Sequence, residues 1–74
     1  MKLMNGHEFE RRVRRVGKAN GVSVSWKSRG KGSHGRLNYG ARYSTLKDRR
    51  KEIGNGLLNA MLKQLGLTKQ DIGL

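Results

Sequence analysis

Two histidines, His7 and His34, are the side chains of this 74-residue chain best suited to move a proton near neutral pH, because an unperturbed imidazole titrates at about 6.5. Cysteine is absent, which removes disulfides, thiolate–metal sites and a thiol nucleophile. Two distant histidines and five acids without ligand spacing do not make a metal site, so metal catalysis is disfavoured. His34 stands in the run Lys31-Gly32-Ser33-His34-Gly35-Arg36, an imidazole among cations. That setting suits attack on a phosphodiester. RNA is cleaved by its own 2′-hydroxyl when a base removes that proton, an acid protonates the departing 5′-oxygen, and cations stabilise the phosphorane between them. His34 can take either proton-transfer part, and Lys27, Lys31 or Arg36 the electrostatic one. Spacing alone favours a plainer reading, in which His34 is polar surface on a hairpin. His7, at the start of a helical pattern, reads first as a solvated residue and second as the other proton-transfer group.

Charge narrows the partners. Seventeen Lys and Arg against five Asp and Glu give a formal net charge of +12, with a pI near 11.3. Such a charge opposes folding by self-repulsion and favours a polyanion. Fourteen of the seventeen cations lie between Arg11 and Lys51, with Asp48 the one acid among them, whereas the chain from Gly54 onward is nearly neutral. A membrane-surface protein would need a basic helix with a strongly apolar opposite face. Here the cations continue through strand-like sequence, so nucleic acid is the expected partner, ahead of a membrane or an acidic protein. No apolar run is long enough to span a bilayer, and the N-terminus lacks the apolar stretch of a secretory signal. A cytoplasmic protein of one domain, residues 1–74, is expected.

The elements that must position these groups follow from periodicity. Asn5 caps a helix over about residues 6–19, with Glu8 in capping-box position and Phe9, Val13 and Val16 on one face; Asn20-Gly21 ends it. Val22, Val24 and Trp26 alternate with Ser23, Ser25 and Lys27, a half-buried strand. After an Arg29-Gly30-Lys31-Gly32 turn, Leu37 and Tyr39 alternate with His34, Arg36 and Asn38 in a second strand. Residues 41–46 read as a third, 47–52 as a charged loop. Asn55 is expected to cap a second helix carrying Leu57, Leu58, Met61, Leu62 and Leu65, stopped by Gly66. Thr68 caps a last turn through Asp71 and Ile72. The order is α-β-β-β-α: an α+β fold with a three-stranded antiparallel sheet and both helices on one face. The other face is then free for a ligand, and alternation turns His34, Arg36 and Asn38 toward it, with Ser23, Ser25 and Lys27. The glycine-rich turn is too short, and in the wrong context, for a P-loop. Lys47, Arg49, Arg50 and Lys51 fit a phosphate clamp or a solvated charge run. Tyr39 and Tyr43 have the chemistry to stack on bases, although core packing is the expectation for both, as for Trp26.

Gly6 before a helix, Lys31-Gly32-Ser33-His34 before two strands, Lys51-Glu52-Ile53, and Gly56-Leu57-Leu58-Asn59-Ala60-Met61-Leu62-Lys63-Gln64-Leu65-Gly66-Leu67 together resemble the HicA toxin family. These are messenger-RNA-cleaving toxins partnered by HicB antitoxins. The resemblance spans roughly residues 5 to 72, and the Gly-Ser-His element with the leucine-rich last helix is its most specific part. It implies a double-stranded-RNA-binding-domain-like fold, catalysis by His34, and a HicB-like antitoxin that blocks that histidine. Many relatives carry further histidines where this chain has Gly35 and Leu46-Lys47-Asp48, so the second proton-transfer group is not assigned; Lys31, Tyr39 or water are its candidates. The expected protein is a metal-independent endoribonuclease (mRNA interferase) without cofactor, with Lys27, Arg29, Lys31, Ser33, Arg36, Arg42 and Lys47 binding RNA. The alternative is a non-catalytic RNA-binding module of the same fold.

Overall fold

The computed structural model describes residues 4–29 and 34–74. Helix α1 runs over Gly6–Asn20, strands β1, β2 and β3 over Val24–Ser28, Gly35–Tyr39 and Arg42–Leu46, and helix α2 over Asn55–Leu65. The strands form one antiparallel sheet in the order β1-β2-β3. This is the α-β-β-β-α arrangement expected from the sequence, with both helices contributing to one core on one side of the sheet.

Helix α1 starts where Asn5 stops it from extending backward. The Asn5 side chain accepts the Glu8 N–H at 2.9 Å, satisfying one of the donors that lack an intrahelical partner. Glu8 itself faces Arg11 and Arg12 at 3.8 and 3.5 Å. The remaining first-turn donors go to the loop after β3. Gly6 N–H donates to the Lys51 carbonyl at 3.2 Å and His7 N–H to the Arg49 carbonyl at 2.9 Å, while Ile53 N–H donates to the Met4 carbonyl at 2.7 Å. Gly6 permits this docking, since a Cβ there would lie 2.6 Å from the Arg49 Cα. The N-terminal amides of α1 are therefore occupied, Gly6 and His7 by backbone carbonyls and Glu8 by the Asn5 side chain. Phe9, Val13 and Val16 face the sheet, and Gly21, in the left-handed region at φ 68°, closes the helix.

Helix α2 departs from expectation in two places. Its cap is Gly54, in extended conformation and without a side-chain bond, so Asn55 is the first helical residue and not the cap. Leu58, Met61, Leu62 and Leu65 make the buried stripe, spaced i, i+3, i+4 and i+7, whereas Leu57 falls off that stripe and is 55% exposed. The C-terminal turn forms as expected. Thr68 N–H donates to Asp71 Oδ2 at 2.9 Å and Asp71 N–H to Thr68 Oγ1 at 3.2 Å. Ile72 is thereby buried in the core, and its carbonyl accepts from Arg12 Nη1 at 2.7 Å.

Register decides the two faces of the sheet. The rows Val24–Tyr39–Arg42, Trp26–Leu37–Ser44 and Ser28–Gly35–Leu46 share the helix-covered face. Leu37 and Leu46 are in the core there, and Ser44, fully buried, donates to Gln64 Oε1 at 2.8 Å. Trp26 and Tyr39 pack against the core half-buried, the Tyr39 hydroxyl accepting from Asn20 Nδ2 at 3.1 Å. Tyr43 does not join them. It pairs with Asn38, which puts it on the open face, 46% exposed, against the expectation of core packing. Among the described residues no helix is long and apolar enough to cross a membrane.

Candidate nucleic-acid interface around His34

The open face of the sheet is built from the alternate residues of the three strands. Two rows follow from the register: Ser25–Asn38–Tyr43, and Lys27–Arg36–Thr45 beside it. A third row extends the ladder past the strand ends. Arg29 N–H donates to the His34 carbonyl at 2.9 Å, one register step beyond the Ser28–Gly35 pair. On the other side the β2–β3 pairing ends at Gly35–Leu46, and Lys47 follows in a bend beyond the strand. The side-chain alternation of an extended chain then assigns Arg29 and His34 to the open face, and both are exposed. His34 thus stands opposite Arg29 and two residues along the chain from Arg36. Opposed residues lie about 4.5–5.5 Å apart, and positions two apart along a strand roughly 6.6 Å apart.

No carboxylate belongs to these rows. His34 has Arg29 opposite it and the Lys27–Arg36 pair in the next row, so a phosphodiester laid along these rows would meet positive charge. Asn38 Nδ2 donates to Ser25 Oγ at 3.4 Å, and the Arg36 guanidinium carbon lies 4.3 Å from the centre of the Tyr43 ring.

Four of the expected site residues, His34, Lys27, Arg29 and Arg36, are brought to this face; Lys47 is exposed just beyond the end of β3, in a pocket that Asp48 and Glu52 also line. Arg42 is not: its register places it in the Val24–Tyr39 row of the helix-covered face, with its guanidinium beside Gly66. Lys31 and Ser33 lie outside the described residues, as does most of the glycine-rich turn. Tyr39 also belongs to the covered face, so it cannot serve His34 as the second proton-transfer group. His7 is exposed on α1, in the helix layer behind the sheet.

Gly35 has the opposite parity to His34, and its inward position has no room for a side chain. A Cβ there would lie 2.4 Å from Trp26 Cζ2 and 2.8 Å from the Lys27 carbonyl oxygen. This explains physically why a second histidine directly after the first has no place in this chain.

The charged loop divides into structural and free cations. Arg49 lies over the Trp26 ring at 4.4 Å and donates to Glu10 Oε1 at 2.9 Å; Arg14 donates to the other Glu10 oxygen at 2.9 Å. Burial raises the Glu10 pKa, but the bonds from Arg49 and Arg14 outweigh it and leave the carboxyl below its ordinary value. Arg50 is paired with Asp48, whose carboxylate accepts the Arg50 backbone N–H at 2.9 Å, and the Asp48 pKa is lowered chiefly by that bond. Of this run, Arg49 is held within the fold by Glu10 and Trp26, Arg50 pairs with Asp48 at the surface, and Lys47 and Lys51 are exposed. The Glu10–Arg14 pair follows i,i+4 helix spacing, but the reach of Glu10 to Arg49 was not visible in the sequence, since no spacing rule links residues 10 and 49. Tyr43 was: counting back across the two-residue turn Gly40-Ala41 from Tyr39 gives its outward parity.

Among the described residues no three His, Asp or Glu side chains gather where they could hold a metal ion. Comparison with models of protein families, with curated proteins and with solved structures finds no match to this chain.

Proposed function

We propose that this chain is the toxin of a toxin–antitoxin pair, a metal-independent endoribonuclease that cleaves messenger RNA in the cytoplasm and is blocked by a HicB-like antitoxin. The observation that carries the reading is the placement of His34, exposed opposite Arg29 and next to the Lys27–Arg36 pair, in sheet rows that hold no carboxylate. His34 Nδ1 or Nε2 takes the proton of a ribose 2′-hydroxyl. The 2′-oxygen bonds to phosphorus, the bond from phosphorus to the 5′-oxygen breaks, and that oxygen takes up a proton from an acid. The products are a 2′,3′-cyclic phosphate and a 5′-hydroxyl. Lys27 and Arg36 stabilise the added negative charge of the phosphorane, and no cofactor enters the step. The HicA resemblance of the Gly-Ser-His element and the last helix supports the toxin assignment.

A non-catalytic RNA-binding module is the second reading. It is favoured by one observation: among the described residues of the open face His34 is the sole imidazole. Expression in a bacterial host separates the two. The toxin reading expects growth arrest that His34→Ala relieves, with RNA binding retained by the variant. Arrest of equal depth with His34→Ala, or RNA bound and never nicked, speaks for the module.

A further inference from the structure

We propose that Tyr43, with Arg36 and Asn38, forms a nucleobase-stacking site that makes single-stranded RNA, not duplex, the ligand of the open sheet face. This rests on the reading that RNA lies on that face, and deepens it.

Tyr43 is the one aromatic ring in the described rows of the open face, and one of only three exposed large hydrophobic side chains among the described residues, with Leu57 and Leu74. Its ring covers no part of the core, which lies on the other side of the sheet. A face that only neutralised phosphate would gain nothing from it. The Arg36 guanidinium stacked at 4.3 Å adds a second flat, cationic surface, and bases stack on both kinds of plane. Asn38 is opposite Tyr43 in register. Its amide donates only the one weak bond to Ser25 at 3.4 Å, which leaves its carbonyl oxygen and an N–H for the edge of a base.

The spacing fits a strand laid along β2. From His34 to Asn38 is four residues, about 13 Å at a strand rise of 3.3 Å. Lys27 and Arg36 stand between, where the phosphates of a chain reaching from the stacking site to His34 would pass. Only unpaired nucleotides can offer a base plane to a flat sheet; a duplex keeps its bases stacked inside and presents backbone and groove edges. The cations of α1 that point away from the sheet, Arg11, Arg15 and Lys18, are on the opposite layer and cannot touch the same stretch of strand.

The test uses short 2′-O-methyl oligouridine, which lacks the attacking hydroxyl, an abasic phosphate chain of the same length and charge, and a duplex of matching length. Binding by the full chain and by its Tyr43→Ala, Tyr43→Phe and Arg36→Lys variants is measured at one salt concentration, with circular dichroism confirming the fold. Tyr43→Ala is expected to weaken oligouridine binding about 5- to 150-fold, the range of one lost base stack, and to leave the abasic chain unchanged. Tyr43→Phe keeps the affinity. Arg36→Lys, which keeps the charge and loses the plane, weakens oligouridine more than the abasic chain. Equal losses on both ligands, no loss at all, or tighter binding of the duplex overturns the stacking site. If the wild type still cleaves RNA in that event, the ribonuclease reading survives alone. If it binds no nucleic acid, both fall.

Discussion

Replacing Gly35 by alanine tests how the strand that carries His34 is held. On an ordinary strand the change would help slightly, since Gly→Ala removes unfolded-chain freedom worth about 0.4–1 kcal/mol. Here the new Cβ would sit 2.4 and 2.7 Å from Trp26 Cζ2 and Cη2, and 2.8 Å from the Lys27 carbonyl oxygen. Carbon atoms pack at about 3.5–4.0 Å, so the indole must retreat by roughly 1 Å. It does not move freely, because Arg49 stacks on it and Glu10 holds Arg49. Overpacking of this kind costs about 1–3 kcal/mol, which exceeds the entropic gain. In a domain of this size each kcal/mol moves Tm by about 4–8 °C, so a net loss of about 1–2 kcal/mol lowers it by about 4–16 °C. The clash adjoins the Arg29–His34 ladder bond, so RNA cleavage should fall with stability. Thermal unfolding by circular dichroism gives the readout. Adding Trp26→Leu to Gly35→Ala should cost less than the sum of the two single changes, with a coupling above about 0.5 kcal/mol. An unchanged or raised Tm for Gly35→Ala, or strict additivity with Trp26→Leu, would refute the packing argument.

The other expectations are simpler. Glu10→Gln removes charge-assisted bonds to Arg14 and Arg49 and should cost about 1–3 kcal/mol at neutral pH. Because the folded Glu10 pKa lies below its ordinary value of 4.5, the unfolded chain binds more protons below that pH. The stability Glu10 contributes is thus present above pH 4.5 and lost as pH falls through the folded value, so denaturant titrations of the variant should show a flatter acid limb; an unaltered limb contradicts the network. Binding to single-stranded RNA should weaken with salt at a log–log slope near −0.7 per phosphate neutralised. Lys27→Ala should flatten that slope by about 0.7 and Arg42→Ala should not, and the reverse pattern would place RNA on the other face. Leu62→Asp should abolish the cooperative unfolding transition, since it buries an unpaired charge among Met61, Leu58 and Leu65; a folded variant would mean that α2 is not part of the core.

Much of this arrangement was legible because it rests on local rules. Asn5 and Gly21 bracket α1 as their chemistry requires, and alternation in β1 and β2 separates Trp26 and Leu37 from Lys27 and Arg36. The partition of the face was legible as well, since the alternation that carries Arg36 outward carries Asn38 and His34 with it. What escaped depends on contacts between distant segments. Asn55 has the chemistry of a cap, but the chain enters α2 one residue earlier, at Gly54. Leu57 joins the apolar run in sequence yet misses the buried stripe by its angle around the helix. Arg49 reads as one more free cation until the docking of its loop against α1 brings it over Trp26 and onto Glu10. Tyr43 was misplaced by treating aromatic character as burial, when the parity set by the Gly40-Ala41 turn already pointed outward.

The central claim is that the imidazole of residue 34 moves the proton in RNA cleavage. Purified protein incubated with single-stranded RNA in excess chelator, with product ends mapped, tests it most directly. The account predicts fragments ending in 2′,3′-cyclic phosphate and 5′-hydroxyl from the wild type and none from His34→Ala, although that variant binds the RNA as tightly. Cleavage by His34→Ala at the wild-type rate, or intact RNA with both proteins, would contradict it.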